Sequence, residues 1–269
     1  MHLLLFFVLT ISLFGCSGEP EQFEGSIRYE VRIDGTREPT QLKQLMPEAF
    51  TYEFKGQNVR VLTEGGLLGK IMPDVLYVNN GEQVWAIDTA NAIATALNLP
   101  PNPAQEAGPV KVEKTDSTRE IHGYTCYLYR ATDTMPQARR INRIWATPDI
   151  QAPTLGENSV QNIGSLRLLE QIEGFPLVIK ERVESSTGVL EVNMIAAAVT
   201  PEDMPEARLQ VPEGYETQQM TLQEFQVFRL KQLGFPMGPA PQSGVPGKPQ
   251  QRPGQQPRPQ QPAPQQPAQ

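Results

Sequence analysis

Ile27, Tyr29, Val31 and Ile33 alternate strictly with Ser26, Arg28, Glu30 and Arg32. In an extended chain successive side chains point to opposite sides, so this pattern predicts a strand with one buried and one wet face. Asp34-Gly35 ends it with turn chemistry. The same period returns at Phe50 to Phe54 and, after a turn at 55–58, at Val59 to Leu62. Val75 to Val78, Asn79-Asn80-Gly81 and Val84 to Ile87 read as a hairpin, because Asn-Gly reaches positive φ at little cost.

Further strands are expected at Val110 to Glu113, Gly123 to Arg130, Ile141 to Ala146, Leu177 to Val183 and Leu190 to Val199. Short strands in close succession favour an antiparallel sheet over βαβ units. Helices are fewer. Ser165 to Ile172 carries an apolar helical stripe, and Thr200-Pro201-Glu202-Asp203 predicts one helical turn with proline at its first position. Thr221 with Glu224 has capping-box spacing and opens a helix to Leu233, stopped by Gly234 and Pro236. Its Leu222, Phe225, Phe228 and Leu233 are candidates to cover an apolar sheet face. Thr89 to Leu99 fits helix or strand, and Pro100, Pro101 and Pro103 mark a linker over 99–108.

Both ends differ from this middle. Leu3 to Phe14 is nearly unbroken apolar sequence but only 12 residues long, whereas a membrane-crossing helix takes about 20. It therefore reads as the apolar region of an export signal. The run Leu13-Phe14-Gly15-Cys16 resembles the bacterial lipobox, in which the cysteine is acylated and becomes the first residue of the mature chain. Such an anchor, at about 0.8 kcal/mol per buried CH₂, is effectively permanent. No Asp follows Cys16, which the resemblance to Gram-negative lipoproteins reads as an outer-membrane address, on the periplasmic face or the cell surface. Pro236 to Gln269 holds 11 of the 26 prolines and 10 glutamines, a composition that predicts a disordered tail. The resulting organisation is a signal peptide over 1–15, a lipidated N-terminus and tether over 16–22, one β-rich domain over 23–235 and the tail over 236–269.

Little in the domain points to catalysis. The net charge of −7 argues against a nucleic-acid partner, which favours a basic balance. His122 is the single histidine after the signal segment, so multi-histidine metal sites and histidine-based zinc motifs are excluded there. His122 and Cys126, at i and i+4 of an extended segment, lie about 13 Å apart. They read as a loop histidine and a buried small hydrophobe, not as a catalytic pair. With Cys16 acylated, Cys126 has no disulfide partner within the chain. Gly65 to Lys70 resembles a P-loop but lacks its spacing and its Ser/Thr, so a bend or β-bulge is expected. Glu181/Glu184 and Glu202/Asp203 are carboxylate pairs without evidence of convergence. Trp85, Trp145, Tyr124, Tyr127 and Tyr129 fit either a ligand groove or sheet packing. No catalytic residue, metal ligand or cofactor is assigned.

One series of motifs resembles a family. Ile121-His-Gly-Tyr-Thr-Cys-Tyr-Leu-Tyr129, Ile144-Trp-Ala-Thr147, Gly174-Phe-Pro-Leu177 and Val211-Pro-Glu-Gly-Tyr215 occur in this order. Together they resemble an uncharacterised family of exported bacterial lipoproteins with a domain of unknown function, similar in pattern to the LolA/LolB-like lipoprotein carriers. The resemblance implies a mainly β (α+β) fold: a strongly curved antiparallel sheet, or open half-barrel, with a few helices across its concave side. It implies a non-enzymatic envelope protein that binds a lipid or other apolar ligand in a groove. The alternative is a structural or interaction scaffold with a filled core. Neither reading transfers a ligand-binding residue to this chain or names a protein partner.

Overall fold

The computed structural model describes residues 22–35, 40–72, 74–99, 110–135, 138–151, 171–186 and 188–235. The signal segment, Cys16, most of the tether, the linker after Leu99, the 165–170 part of the expected helix and the Pro/Gln tail lie outside them.

Six strands form an N-terminal meander, each paired antiparallel to the next: β1 (Gly25–Gly35), β2 (Ala49–Lys55), β3 (Asn58–Glu64), β4 (Asp74–Val78), β5 (Gln83–Asp88) and β6 (Ile93–Asn98). Five more form a second: β7 (Val112–Ile121), β8 (Tyr124–Met135), β9 (Ala138–Thr147), β10 (Phe175–Ser185) and β11 (Gly188–Pro201). The meanders join where β1 pairs with β11 along its whole length. The last strand, β12 (Glu216–Thr221), adds to the outer side of β6. The result is one 12-stranded sheet in the order β12-β6-β5-β4-β3-β2-β1-β11-β10-β9-β8-β7. Its outermost strands, β12 and β7, do not pair with each other.

The expected mainly β class is therefore observed, but the sheet is mixed rather than purely antiparallel, because β12 runs parallel to β6. Residues 202–215 carry the chain from β11 in the middle of the sheet to β12 at its edge, as a strap across the first meander. Met204 and Leu209, each 1% exposed, pack with Leu76, Ile87 and Ala94. Polar contacts fix the strap's course. Asp203 accepts from Lys55 Nζ at 2.7 Å, Arg208 donates to Glu53, and Asn58 donates to the Leu209 carbonyl at 3.4 Å. The expected helical turn at Pro201-Glu-Asp does not form. Thr200 and Pro201 instead finish β11, whose partners are Ser26 and Gly25, and a 3-10 turn follows at Glu206–Leu209.

Among the described residues three short helices accompany the sheet: α1 (Thr40–Leu45), α2 (Gly66–Ile71) and α3 (Leu222–Gln232). The bend expected at 65–70 is α2. Gly66 has φ 59°, and a Cβ there would lie 2.1 Å from the Met46 carbonyl oxygen. Only glycine lets the chain pass that close and turn into a helix. The capping box predicted for α3 is present: Thr221 Oγ1 accepts from the Glu224 amide at 3.2 Å, and Glu224 accepts from the Thr221 amide at 2.9 Å. Of the four candidate covering residues, Phe225 is buried, Leu222 and Phe228 are half-buried, and Leu233 is exposed. Within Thr89 to Leu99 the chain turns at 89–92 and then forms β6 over Ile93–Asn98, so the strand alternative is the one observed.

The main core gathers Ile27, Tyr29, Phe50, Phe54, Val59, Val61, Tyr77 and Phe225. Its aromatic members reach across strands. Phe54 on β2 meets Phe175 on β10 with ring centroids 5.3 Å apart, and Tyr29 on β1 donates to the Pro176 carbonyl. In a flat sheet β2 and β10, three strand spacings apart, would be separated by about 14 Å. These contacts are consistent with a curved sheet.

Candidate functional site

The wet face predicted for β1 extends over its neighbours. Arg32 lies opposite Asn193 on β11, and Asn193 opposite Lys180 on β10. Lys180 lies opposite Arg143 on β9, which in turn lies opposite Arg130 on β8. Residues paired in this way share a side of the sheet. Five strands thus present Arg, Asn, Lys, Arg and Arg in a single row, with all four cations exposed. An open furrow of about 550 Å³ runs along this row, with Arg32, Asn193, Lys180 and Arg143 among its lining residues.

The cations differ in how they are balanced. Arg32 pairs with Glu30 at 3.0 Å. In the adjoining row Arg182 bridges Glu184 at 2.8 Å and Glu191 at 2.7 Å. The hydrogen bonds to Glu184 and then Glu191 hold its guanidinium above its ordinary pKa. Lys180, Arg143 and Arg130 have no ion-pair or hydrogen-bond partner among the described residues. Glu113 on β7 lies opposite Arg130, so part of the Arg130 charge is offset there. Like charges set directly opposite one another destabilise a sheet by roughly 0.2–1 kcal/mol per pair. The Lys180–Arg143–Arg130 run contains two such pairs. Exposed, unpartnered guanidinium and ammonium groups set in one row suit anion binding.

The residues singled out from sequence do not converge on a site. His122 sits in the β7–β8 turn with φ 52°, its Nε2 2.7 Å from the Ala196 carbonyl oxygen. Cys126 is fully buried, and its thiol donates to the Tyr124 carbonyl at 3.6 Å. Burial pushes that thiol up to about 11, so it is protonated and inert at neutral pH. Glu181 pairs with Arg140, whereas Glu184 pairs with Arg182. Glu202 accepts from Ser26 and Asp203 from Lys55. Trp145 packs half-buried at the core with Arg119 4.4 Å from its ring centroid, and Tyr124 also packs there. Tyr127 and Tyr129 belong to a second cluster with Ile144, beneath Lys114. Trp85 lines a separate shallow hollow of about 370 Å³ beside Asn98 and Gln219. Among the described residues no group of three or more His, Cys, Asp or Glu is arranged to hold a metal ion. Cys16 lies outside them.

Arg130, Arg143 and Lys180 were not recognisable as a group from the sequence. Each falls within a predicted strand, and a polar residue among alternating apolar ones was the available signal. Their common row depends on register, which is set by the β8–β9 and β9–β10 pairings and by the bulge between Pro176 and Val178 rather than by local pattern.

No protein-family model and no curated protein matches the sequence. Among solved structures the chain is similar to PNGF-II in its C2 crystal form, at 13% identity and a TM-score of 0.42 over 77% of this chain. The P21 form gives 15% identity at the same TM-score. The chain spans about a third of the length of PNGF-II.

Proposed function

We propose that this protein is a non-enzymatic lipoprotein of the cell envelope, anchored in the outer membrane through acylated Cys16. On this reading its β-rich domain acts as an interaction scaffold. The observation that carries the scaffold reading is the filling of the interior by the protein's own rings. Phe23, Tyr29, Tyr52, Phe54 and Phe175 form a continuous series of aromatic contacts with centroids 5.3–6.4 Å apart. That density is typical of a packed core rather than of a vacant apolar groove. Supporting the anchor are the apolar leader and the Leu13-Phe14-Gly15-Cys16 run.

The carrier-like reading, a lipid or other apolar ligand held in a LolA/LolB-like groove, is favoured by the contacts that fit a curved sheet and by Phe225 of α3 reaching the main core. In that arrangement α3 would lie across the concave side. A permanent anchor suits an acceptor or scaffold better than a shuttle.

Membrane fractionation of cells expressing the full chain or its Cys16→Ser variant tests the anchor. Wild type is expected in the membrane fraction and the variant in the soluble fraction; a variant that stays with the membranes overturns lipid anchoring at Cys16. Native mass spectrometry of the released variant then separates the two readings. A ligand-free mass supports the scaffold, and a stoichiometric apolar ligand supports the carrier.

A further inference from the structure

The furrow across β1, β11, β10 and β9 has a charge arrangement that the scaffold reading leaves unexplained. Adjacent strands lie about 4.8 Å apart, so Lys180, Arg143 and Arg130 spread three positive charges over roughly 10 Å in one line. Surface lysines and arginines are usually interspersed with acids, as Arg182 is here between Glu184 and Glu191. Within the central row Arg32 has Glu30 and Arg130 faces Glu113, whereas Lys180 and Arg143 face only each other, Asn193 and Arg130. The row therefore bears a repulsion that a bound anion would remove.

We propose that this furrow is a binding site for an anion carrying two or more phosphate groups. Lys180 and Arg143 are its principal contacts, Arg130 extends it along the row, and Asn193 offers an uncharged amide donor beside Lys180. The specificity follows from chemistry. A guanidinium grips phosphate oxygens in a two-pronged fashion, and a lysine ammonium adds a mobile point charge. A ligand with one negative charge could neutralise only one of the three cations, whereas linked phosphates can engage neighbouring strands together. Glu184 and Glu191, already committed to Arg182, and Asp34 bound the furrow on one side and disfavour ligands that extend that way. The site does not depend on the anchor at Cys16.

The test uses the full chain carrying Cys16→Ser, so that lipid insertion cannot mimic binding. Calorimetric titration with inorganic tripolyphosphate in about 50 mM salt is expected to give one-site binding that weakens about tenfold at 300 mM salt, as screening requires. Adding Lys180→Gln with Arg143→Gln should weaken it at least tenfold further. Arg28→Gln with Lys43→Gln, which removes the same charge elsewhere, should change it less than twofold. The same comparison with vesicles containing cardiolipin, whose headgroup carries two linked phosphates, distinguishes the phosphate source. Vesicle binding that depends on Lys180 and Arg143, without tripolyphosphate binding, assigns the phosphates to a lipid surface. Tripolyphosphate binding alone assigns them to a soluble ligand, and either result supports the site. Absence of binding to both probes, or equal loss in the two double variants, overturns it. A readout without furrow substitutions is the acetylation rate of Lys180, which tripolyphosphate should slow at least threefold while Lys43 is unchanged. Equal rates at the two lysines with and without the anion also overturn the site.

Discussion

At the residue scale the most informative group is Glu53. It is 2% exposed on β2, and it accepts from Arg208 of the strap. Burial raises its pKa above the ordinary carboxylate value, against the opposing pull of Arg208 and Arg60. A carboxyl whose pKa is higher folded than unfolded binds protons preferentially in the native state, so its contribution to stability falls as pH rises through the folded value. Thermal melts of wild type should therefore gain from this group as pH falls from neutral through that raised value. Glu53→Gln, which keeps an acceptor for Arg208 and removes the charge, should melt at or above the wild-type temperature at pH 7 and lose this acid-side gain. A variant that melts well below wild type at pH 7 would show that the ion pair outweighs the cost of burying the charge.

At the element scale the strap of residues 202–215 decides how the sheet ends. It fastens β12 to β6 in parallel, and its apolar grip is Met204 and Leu209 on Leu76, Ile87 and Ala94. Truncating a fully buried leucine costs about 2–5 kcal/mol. Leu209→Ala is expected to lower the unfolding free energy measured by chemical denaturation by an amount in that range. It should also raise hydrogen exchange at the β6 amides more than at those of β9, because the strap covers only the first meander. Uniform loss of protection across both meanders would mean that the strap supports the whole sheet. The α3 cap works differently: hydrogen bonds from the Thr221 backbone and side chain hold the Glu224 carboxyl below its usual range. Its contribution is present at neutral pH and fades as pH falls through that lowered value.

At the scale of the whole molecule, two meanders become one sheet through the β1–β11 seam and the side chains that cross it. Tyr29 lies at that crossing, 2% exposed, with its hydroxyl donating to the Pro176 carbonyl on β10. Burial holds its phenol well above the ordinary value, so it remains a donor at any physiological pH. Tyr29→Phe keeps the ring contact with Tyr52 but leaves a buried carbonyl without that donor, at a cost of about 1–3 kcal/mol. Chemical denaturation should show a loss of that size with an unchanged slope. An unchanged midpoint would mean that water replaces the hydroxyl.

The features legible in the sequence are those whose cause is local. Alternation marked β1 because side-chain direction along a strand depends only on neighbouring residues. Asn79-Asn80-Gly81 marked its hairpin because positive φ, here 52°, 56° and 84°, is a property of the residues themselves. Thr221 and Glu224 marked the start of α3 because both partners of a capping box lie within one turn. Cys126 read correctly as a buried hydrophobe, since nothing nearby offered chemistry. Tertiary structure decided the rest. Gly65 to Lys70 became α2 because Gly66 must pass the Met46 carbonyl, which local sequence does not reveal. Glu216–Thr221, a polar stretch with little strand character, became β12 because the strap delivers it to the open edge of β6. The furrow belongs to the same class. Arg32, Lys180, Arg143 and Arg130 are scattered over about a hundred and fifty residues, and only hydrogen-bond register, a long-range property fixed by bulges and the β1–β11 seam, sets them in one row.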